Sequence, residues 1–195
     1  MGKLEKRDTK GKITTAALAL FSEKGYENTT IEDILEASGT SRGTFYHYFE
    51  GKDALFSHMT IVLDEEYRKL AETIPEELDA FEKLMYIDRE MFRIIENRIS
   101  VDLLTRLYST QLVTRGEKKI FDRNRYFYRL VRQIVEEGQR NGELRDDFTV
   151  NEIVKDFSLL ERGILYDWCA CDGEYGLTSY VTQKMPILFA GYRAK

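Results

Sequence analysis

Apolar residues in the first third of the chain recur every three or four positions, which is the spacing of one helical face. The pattern predicts a first helix with the apolar face Ile13, Ala16, Ala17, Leu20 and Phe21. Gly25 supplies the end of that helix. Thr30 and Asp33, three residues apart, predict a capping box for a second helix, which ends at Gly39. Ser41 is placed to cap a third helix.

The remaining sequence predicts a bundle of longer helices. Pro75 is followed by a helix whose apolar face comprises Leu78, Phe81, Leu84, Met85, Phe92, Ile95 and Ile99. Further helices are predicted from about Gly51, over 102–113, over 117–141, after the capping box of Thr149 and Glu152, and over 175–192. The hydrophobic pattern therefore predicts an all-α protein.

The third predicted helix has two different faces. Phe45 and Phe49 lie four residues apart and share the face that packs, whereas Tyr46 and His47 point elsewhere. Arg42 precedes them in the segment GTSRGTFYHYF. Phenol, imidazole and guanidinium groups hydrogen-bond to anionic surfaces, so the second face is suited to nucleic acid.

The overall charge argues against a nucleic-acid binder, but its distribution does not. The chain of 195 residues has a net charge of -5 and a pI near 5.3, whereas DNA-binding domains usually carry a basic excess. Residues 1–52 hold 8 basic and 8 acidic groups, so the negative excess lies beyond them. Within this head, KLEKRDTKGK carries five basic groups and two acidic ones, a short arm that phosphates attract.

Composition places the chain among ordinary globular proteins of the cytoplasm. Hydrophobic residues make up 43% of it and charged residues 32%. We find no apolar run of the roughly 20 residues that a membrane span needs, and no apolar segment of a signal peptide. Cys169 and Cys171 are too few for a disulfide framework, and with no histidine nearby we expect them to be buried or idle thiols.

Residues 9–55, TKGKITTAALALFSEKGYENTTIEDILEASGTSRGTFYHYFEGKDAL, resemble the N-terminal domain of the tetracycline-repressor-like (TetR) family of transcriptional regulators. The resemblance covers about a quarter of the chain. It implies a homodimer with an N-terminal three-helix helix-turn-helix domain, followed by a larger helical domain for ligand binding and dimerisation. We expect a DNA-binding domain over 1–56 and an effector-binding and dimerisation domain over 57–195.

The resemblance assigns the polar face of the third helix to double-stranded DNA. The expected DNA-binding residues are Thr30, Thr40, Arg42, Gly43, Thr44, Tyr46, His47 and Lys52. Arg42 can pair with guanine or phosphate, Gly43 lets the backbone approach closely, and the Thr44 methyl can meet a thymine methyl. Tyr46 and Lys52 match positions that the family uses for phosphate contacts. The alternative is that the aromatic residues form only a surface cluster of a helical bundle.

Three polar residues fall where the helical pattern calls for apolar ones. Asp88 lies at the centre of the face that follows Pro75, Asn124 lies among the apolar positions of the predicted 117–141 helix, and Glu161 lies at the edge of the next apolar stripe. A carboxylate in an apolar wall is costly unless it is paired. Its partner is either an arginine of the same chain or a ligand with a positive charge or several donors. In the second case Tyr108, Tyr128 and Trp168 are candidates for the same effector site.

The function that these features indicate is regulatory rather than catalytic. We find no nucleotide-binding glycine loop, no nucleophile elbow and no zinc-binding histidine pair, and we expect no enzyme activity, metal or cofactor. The expected protein is a ligand-responsive transcriptional regulator, a repressor released from a near-palindromic operator by an unknown small molecule. Its homodimer is expected to form through the last two long helices. The alternative is a constitutive DNA-binding or protein-recruiting helical dimer without an effector.

Overall fold

Helices account for the regular structure of the described residues, apart from an isolated antiparallel bridge between Leu144 and Arg193. The structure is a computed structural model that describes residues 2–113 and 118–194. The helices are α1 (Gly2–Lys24), α2 (Ile31–Ser38), α3 (Arg42–Tyr48), α4 (Met59–Ala71), α5 (Ala80–Arg98), α6 (Val101–Val113), α7 (Tyr126–Arg140), α8 (Val150–Ala170) and α9 (Leu177–Phe189), with 3-10 helices at Lys52–His58, Lys119–Phe121 and Ala190–Tyr192. The predicted all-α fold is confirmed.

The chain divides into two compact units. The first comprises Met1–Leu63 and Arg98–Phe121, and the second comprises Asp64–Asn97 and Asp122–Lys195. The α4 helix contributes its first residues to the first unit and the remainder to the second. Among the described residues, no helix combines the length and the apolar character that a membrane span requires.

Local signals determine the ends of α1, α2 and α3. Gly25 and Gly39 both have positive φ, 82° and 63°, a backbone conformation that glycine adopts without strain. The Thr30 side chain accepts a hydrogen bond from the Asp33 amide at 3.1 Å, and the Asp33 carboxylate accepts one from the Thr30 amide at 2.7 Å. This is the predicted capping box, and Ser41 caps α3 by accepting from the Thr44 amide at 3.1 Å.

Aromatic packing joins the first unit together around α1. The rings of Phe21 and Tyr26 meet edge to face at 5.0 Å, and Phe56 of the 3-10 helix packs on both. Arg106 of α6 lies over the Tyr26 ring at 4.7 Å and pairs with Glu27 at 3.0 Å. The end of α1, the loop that follows it, the 3-10 helix and α6 therefore share one aromatic cluster.

The second unit buries the apolar faces of α5, α7, α8 and α9. Its buried residues include Leu84, Ile87, Phe92, Val131, Ile153, Phe157, Val181 and Phe189. The predicted capping box at Thr149 and Glu152 opens α8. Glu96 near the end of α5 accepts hydrogen bonds from the Leu177 and Thr178 amides, which caps the first turn of α9 from another helix.

The prediction of one helix over 117–141 is wrong for the part that the structure describes. Position 117 lies outside the described residues, and α7 begins only at Tyr126. Arg125 is in an extended conformation, and the amides of Tyr126 and Phe127 point towards the Asp64 carboxylate of α4 at 3.4 and 3.3 Å. Because this cap comes from a distant part of the chain, periodicity alone could not locate the start of α7.

Smaller differences concern the ends of three other helices. The α1 helix starts at Gly2, before the apolar face that predicted it, and a 3-10 helix occupies Lys52–His58 before α4. The last helix starts at Leu177 rather than at 175, where the Glu96 carboxylate supplies the cap. These differences leave the element order as predicted.

Candidate DNA interface and buried acidic site

The α3 helix separates its apolar and polar side chains as predicted. Phe45 and Phe49 are buried, while Tyr46 is 49% exposed and His47 is also exposed. Phe45 contacts both Phe49 and Tyr46, with ring centroids at 5.5 and 5.4 Å. The buried pair therefore fixes the helix in the first unit and leaves its other face available to a partner.

Arg42 stands at the first position of α3 with its guanidinium in solvent. The side chain is 64% exposed and pairs with Glu32 of α2, which is 61% exposed. An exposed ion pair contributes little to stability, about 0 to 1 kcal/mol. The guanidinium can therefore exchange Glu32 for a phosphate or a guanine edge at small cost.

The other predicted contacts at the start of α3 are arranged around its cap. The Thr44 and Ser41 hydroxyls are 2.8 Å apart, and the Thr40 hydroxyl lies 2.7 Å from that of Ser38. Gly43 is exposed, and a side chain at this position would meet only Ser41 at 3.9 Å. The backbone of this turn is thus accessible to a large partner.

Lys52 is engaged within the first unit. Its ammonium donates to the carbonyl oxygens of Tyr26 at 2.7 Å and Thr29 at 3.0 Å, and it lies 4.0 Å from the centroid of the Tyr26 ring. The Tyr26 hydroxyl in turn donates to Asp53. An ammonium has three protons to donate. Lys52 therefore connects the loop before α2 to the 3-10 helix through two of its three donors.

Thr29 and Thr30 have different environments although they are neighbours. Thr29 is buried, and its hydroxyl donates to the Gly25 carbonyl at 2.8 Å. Thr30 is exposed, and its hydroxyl donates to Asp33 at 2.7 Å. Of these two, only Thr30 presents its side chain to solvent at the N-terminus of α2.

Asp88 lies deep in the second unit, on the buried face of α5. It is 1% exposed, and neither carboxylate oxygen accepts a hydrogen bond from any residue that the structure describes. Its neighbour is the carboxyl group of Glu161 on α8, which can share a hydrogen bond with Asp88 only when one of the two carries a proton. Burial, together with the Glu161 charge, raises the pKa of Asp88 well above its usual value.

Glu161 is the better solvated member of this acid pair. It is 6% exposed and accepts a hydrogen bond from the Tyr67 hydroxyl of α4 at 3.1 Å. Burial raises the pKa of Glu161 to about 7, against the opposing effects of the hydrogen bonds from Asp88 and Tyr67 and of the positive charges of Arg162 and Arg125. Near neutral pH the two carboxyl groups therefore hold a proton between them.

Aromatic rings stand beside the acid pair. Tyr67 packs against Phe127 with ring centroids at 5.0 Å, and Phe127 meets Tyr128 edge to face at 4.9 Å. The Tyr128 hydroxyl accepts a hydrogen bond from Arg162 at 3.1 Å. Tyr67 and Phe127 were absent from the predicted site, since their apolar spacing gave no sign of this proximity. Only the contact between helices reveals them.

The other predicted effector residues have different positions. The premise for Asn124 is wrong, because it is exposed and precedes α7, where the Asp122 carboxylate accepts from its amide at 2.8 Å. Trp168 is buried, and its indole donates to the Tyr175 carbonyl at 2.9 Å. Tyr108 is on α6, in the first unit. The structure thus brings Asp88 together with Glu161 and places Tyr128 in the adjoining aromatic group.

Apolar side chains of α8 and of α9 are exposed. Leu159 and Tyr166 of α8 are 55% and 58% exposed, and Gly163 lies between them with open space around it. Ile187 of α9 is 69% exposed. Residues seven apart share a helical face, so Leu159 and Tyr166 form one apolar strip. Such faces on soluble proteins indicate a contact with another protein chain.

The cysteines form no ligand set. Among the residues that the structure describes, no group of three or more histidine, cysteine, aspartate or glutamate side chains is arranged to hold a metal. Cys169 is buried, and burial together with Asp167 raises the pKa of the Cys171 thiol. The cysteine pair therefore stays outside the functional proposals.

Comparison with known proteins agrees with the architecture. Among curated proteins, a fatty acid metabolism regulator protein of Bacillus subtilis is 24% identical over 98% of this chain and 99% of its own. The transcriptional repressor KstR2 of Rhodococcus jostii is 24% identical over 94% of both chains.

Solved structures show the same fold. The regulator FadR of Bacillus subtilis, in complex with stearoyl-CoA, has a TM-score of 0.70 at 20% identity, over 93% of this chain and 98% of that one. FadR of Thermus thermophilus, described as a TetR family repressor in complex with lauroyl-CoA, has a TM-score of 0.67 at 24% identity, over 93% and 94% of the two chains.

Two family models together cover most of the sequence. Residues 13–59 match the bacterial regulatory proteins of the tetR family, and residues 58–191 match the C-terminal region of YsiA-like proteins. The second match alone covers more than half of the chain. The chain therefore belongs to the TetR family of bacterial regulatory proteins.

Proposed function

We propose that this regulator is a homodimeric repressor that leaves its operator when it binds a fatty acyl-CoA thioester. The observation that carries the DNA-binding part is the exposed polar face of α3, held in place by buried Phe45 and Phe49. The proposed DNA contacts are Thr30, Thr40, Arg42, Gly43, Thr44, Tyr46, His47 and Lys52. The division into domains at 56/57 stays a prediction, and we propose a non-enzymatic role in the cytoplasm.

The dimer contact proposed here uses the exposed apolar side chains of α8 and α9. Burying Leu159, Tyr166 and Ile187 against a second copy removes apolar area from water. Gly163 has no side chain, so the two copies of α8 can approach closely at that point. A two-fold dimer presents two α3 helices, which requires a near-palindromic operator with half-sites about one helical turn apart.

The effector class is supported by what the similar proteins bind. Two of the structures with this fold are described with an acyl-CoA bound, stearoyl-CoA in one and lauroyl-CoA in the other. A ligand that binds the DNA-free conformation more tightly than the DNA-bound one shifts the population away from the operator. The ligand needs about a tenfold preference for each 1.4 kcal/mol of operator affinity that it removes.

A titration of the protein–operator complex tests this proposal. The operator is selected from a random-sequence duplex pool and labelled for fluorescence anisotropy. Stearoyl-CoA and lauroyl-CoA are expected to lower operator affinity at least tenfold, whereas free CoA and free stearate are the matched controls without the thioester. Release by neither thioester would contradict the effector and favour the constitutive alternative. Equal release by free CoA would show that the acyl chain is not recognised.

A further inference from the structure

In the acid pair of the second unit, the Asp88 carboxyl group lacks a hydrogen-bond donor among the described residues. Asp88 is almost completely buried, and both of its oxygens lack a donor among the described residues. A buried polar group without a partner costs free energy, and a buried charge costs more. This orphaned carboxyl group faces the carboxyl group of Glu161 instead of a cation.

The two arginines that act on Glu161 also bind other partners. Arg125 of the α7 N-terminus donates to both oxygens of Asp64, at 2.9 and 3.2 Å. Arg162 of α8 donates to the Tyr128 hydroxyl at 3.1 Å. Both charges act on Glu161, whereas burial and Glu161 raise the pKa of Asp88. Among the described residues, Asp88 therefore has no hydrogen-bonded cation.

The neighbouring side chains suit a ligand with a positive charge and an apolar part. Tyr67 contacts Glu161 through its hydroxyl and continues into Phe127 and Tyr128 through ring contacts of 5.0 and 4.9 Å. Aromatic faces attract cations, and they pack against the apolar part of an amphipathic ligand. Carboxyl oxygens supply the acceptors that an ammonium group requires.

We propose that Asp88 and Glu161 form a binding site for the ammonium group of an apolar amine, whose hydrocarbon part packs against Tyr67, Phe127 and Tyr128. This site goes beyond the acyl-CoA effector, since it recognises a positive rather than an anionic headgroup. The ammonium takes the place of the proton that the two carboxyl groups share. One ammonium enters, the shared proton leaves to solvent, and both carboxyl groups are then ionised opposite the ligand.

The exchange of a proton for an ammonium gives the proposal a specific signature. Calorimetry with octan-1-amine at pH 7.5, in two buffers of different ionisation enthalpy, measures the protons released per ligand bound. Octan-1-amine is charged at this pH, as a lysine side chain is, and octan-1-ol is its neutral control. We expect at least tenfold tighter binding of the amine than of the alcohol, with about one proton released.

Two variants that each remove one carboxyl group locate the site. Asp88→Asn is expected to lower amine affinity at least tenfold and to abolish proton release, because the amide cannot become ionised. Glu65→Gln changes an exposed glutamate of α4 that pairs with Arg68 and is expected to keep both properties. Equal binding of amine and alcohol, amine binding without proton release, or unchanged binding by Asp88→Asn would each overturn the proposal.

The amine site can be tested even when Asp88→Asn does not fold, and separately from the acyl-CoA effector. If Asp88→Asn does not fold, the comparison of amine with alcohol and the proton count on the unmodified protein still decide. Operator release by stearoyl-CoA is measured on the same preparations. A missing amine response with intact stearoyl-CoA release overturns the amine site alone, whereas a lost stearoyl-CoA response with amine binding intact overturns only the proposed effector.

Discussion

The α3 helix and the facing parts of α5 and α8 both carry polar side chains, but under opposite conditions. On α3, Arg42 and Tyr46 are exposed, and Arg42 pairs with the exposed Glu32. On α5, Asp88 is buried without a donor. Exposed polar groups do not lower the stability of the DNA-free protein, whereas the burial of an acid pair does. The difference indicates why the two sites need different tests.

The largest expected effect on unfolding free energy comes from Asp64, a buried aspartate that is paired, unlike Asp88. Asp64 of α4 accepts hydrogen bonds from Arg125 and from the first amides of α7, and both side chains are about one-tenth exposed. Asp64→Ala leaves the Arg125 charge buried and uncapped amides behind it, so we expect a loss of about 3 to 5 kcal/mol in unfolding free energy. Urea denaturation measures it.

The control for Asp64 is an aspartate in an exposed ion pair. Asp102 is 64% exposed and pairs with Arg106 at 3.0 Å. Asp102→Ala is expected to cost no more than about 1 kcal/mol. Similar losses in the two variants would show that burial does not govern these ion pairs.

Arg42→Ala tests the exposed polar face of α3. We expect a loss of about 1 to 3 kcal/mol in operator affinity and a relaxed preference at one base position, if Arg42 contacts a base. Arg93→Ala is a matched control, because Arg93 of α5 is 61% exposed, compared with 64% for Arg42, and also pairs with a glutamate. Anisotropy with the selected operator measures both, and equal affinities would remove Arg42 from the interface.

The pH dependence of the unfolding free energy tests the buried acid pair. Asp88 and Glu161 have raised pKa values in the folded protein, that of Glu161 about 7. The cost of burying the pair is therefore smallest below about pH 4, where both groups are protonated in the folded and in the unfolded chain, and it grows as the pH rises through 7. Each proton that the folded protein holds in excess of the unfolded chain lowers the unfolding free energy by up to about 1.4 kcal/mol per unit rise in pH.

The comparison variant is again Asp88→Asn, which removes one titrating group of the pair. Its unfolding free energy should fall less steeply between pH 6 and 8 than that of the unmodified protein. Arg125, Arg162 and Tyr67 also act on Glu161, and burial raises the pKa of Tyr67 well above its usual value. Parallel pH profiles for the two proteins would contradict the shared proton.

Lys52 gives the smallest expected effect. It combines contacts inside the first unit with a proposed contact to DNA. Its ammonium already binds two carbonyl groups, and its third donor is proposed to contact phosphate. Lys52→Ala should lower operator affinity uniformly and reduce the salt slope by about one unit. It should also lower the melting temperature, since two acceptors lose a charged donor. Lower stability with an unchanged slope would assign Lys52 to structure alone.

Local signals explain what the sequence allowed us to predict. The capping boxes at Thr30 and Thr149 and the turn at Gly39 depend on residues within four positions of each other. The inward position of Asp88 also followed from the spacing of its own helix. These features involve few distant contacts, so the sequence contains them directly.

Contacts between distant segments explain what the sequence did not predict. The start of α7 is determined by Asp64, about 60 positions earlier, and Asn124 was misplaced for this reason. The pairing of Asp88 with Glu161, and of Glu161 with Tyr67, joins three helices. Lys52 likewise reaches back to Tyr26 and Thr29. Side-chain partners across helices require the fold to be known.

Selection from a random-sequence duplex pool shows whether α3 of a symmetric dimer contacts operator DNA. We expect the protein to enrich a near-palindrome whose half-sites are about one helical turn apart, bound by two chains. Enrichment of no sequence, or of a non-symmetric site bound by one chain, would rule out this interface.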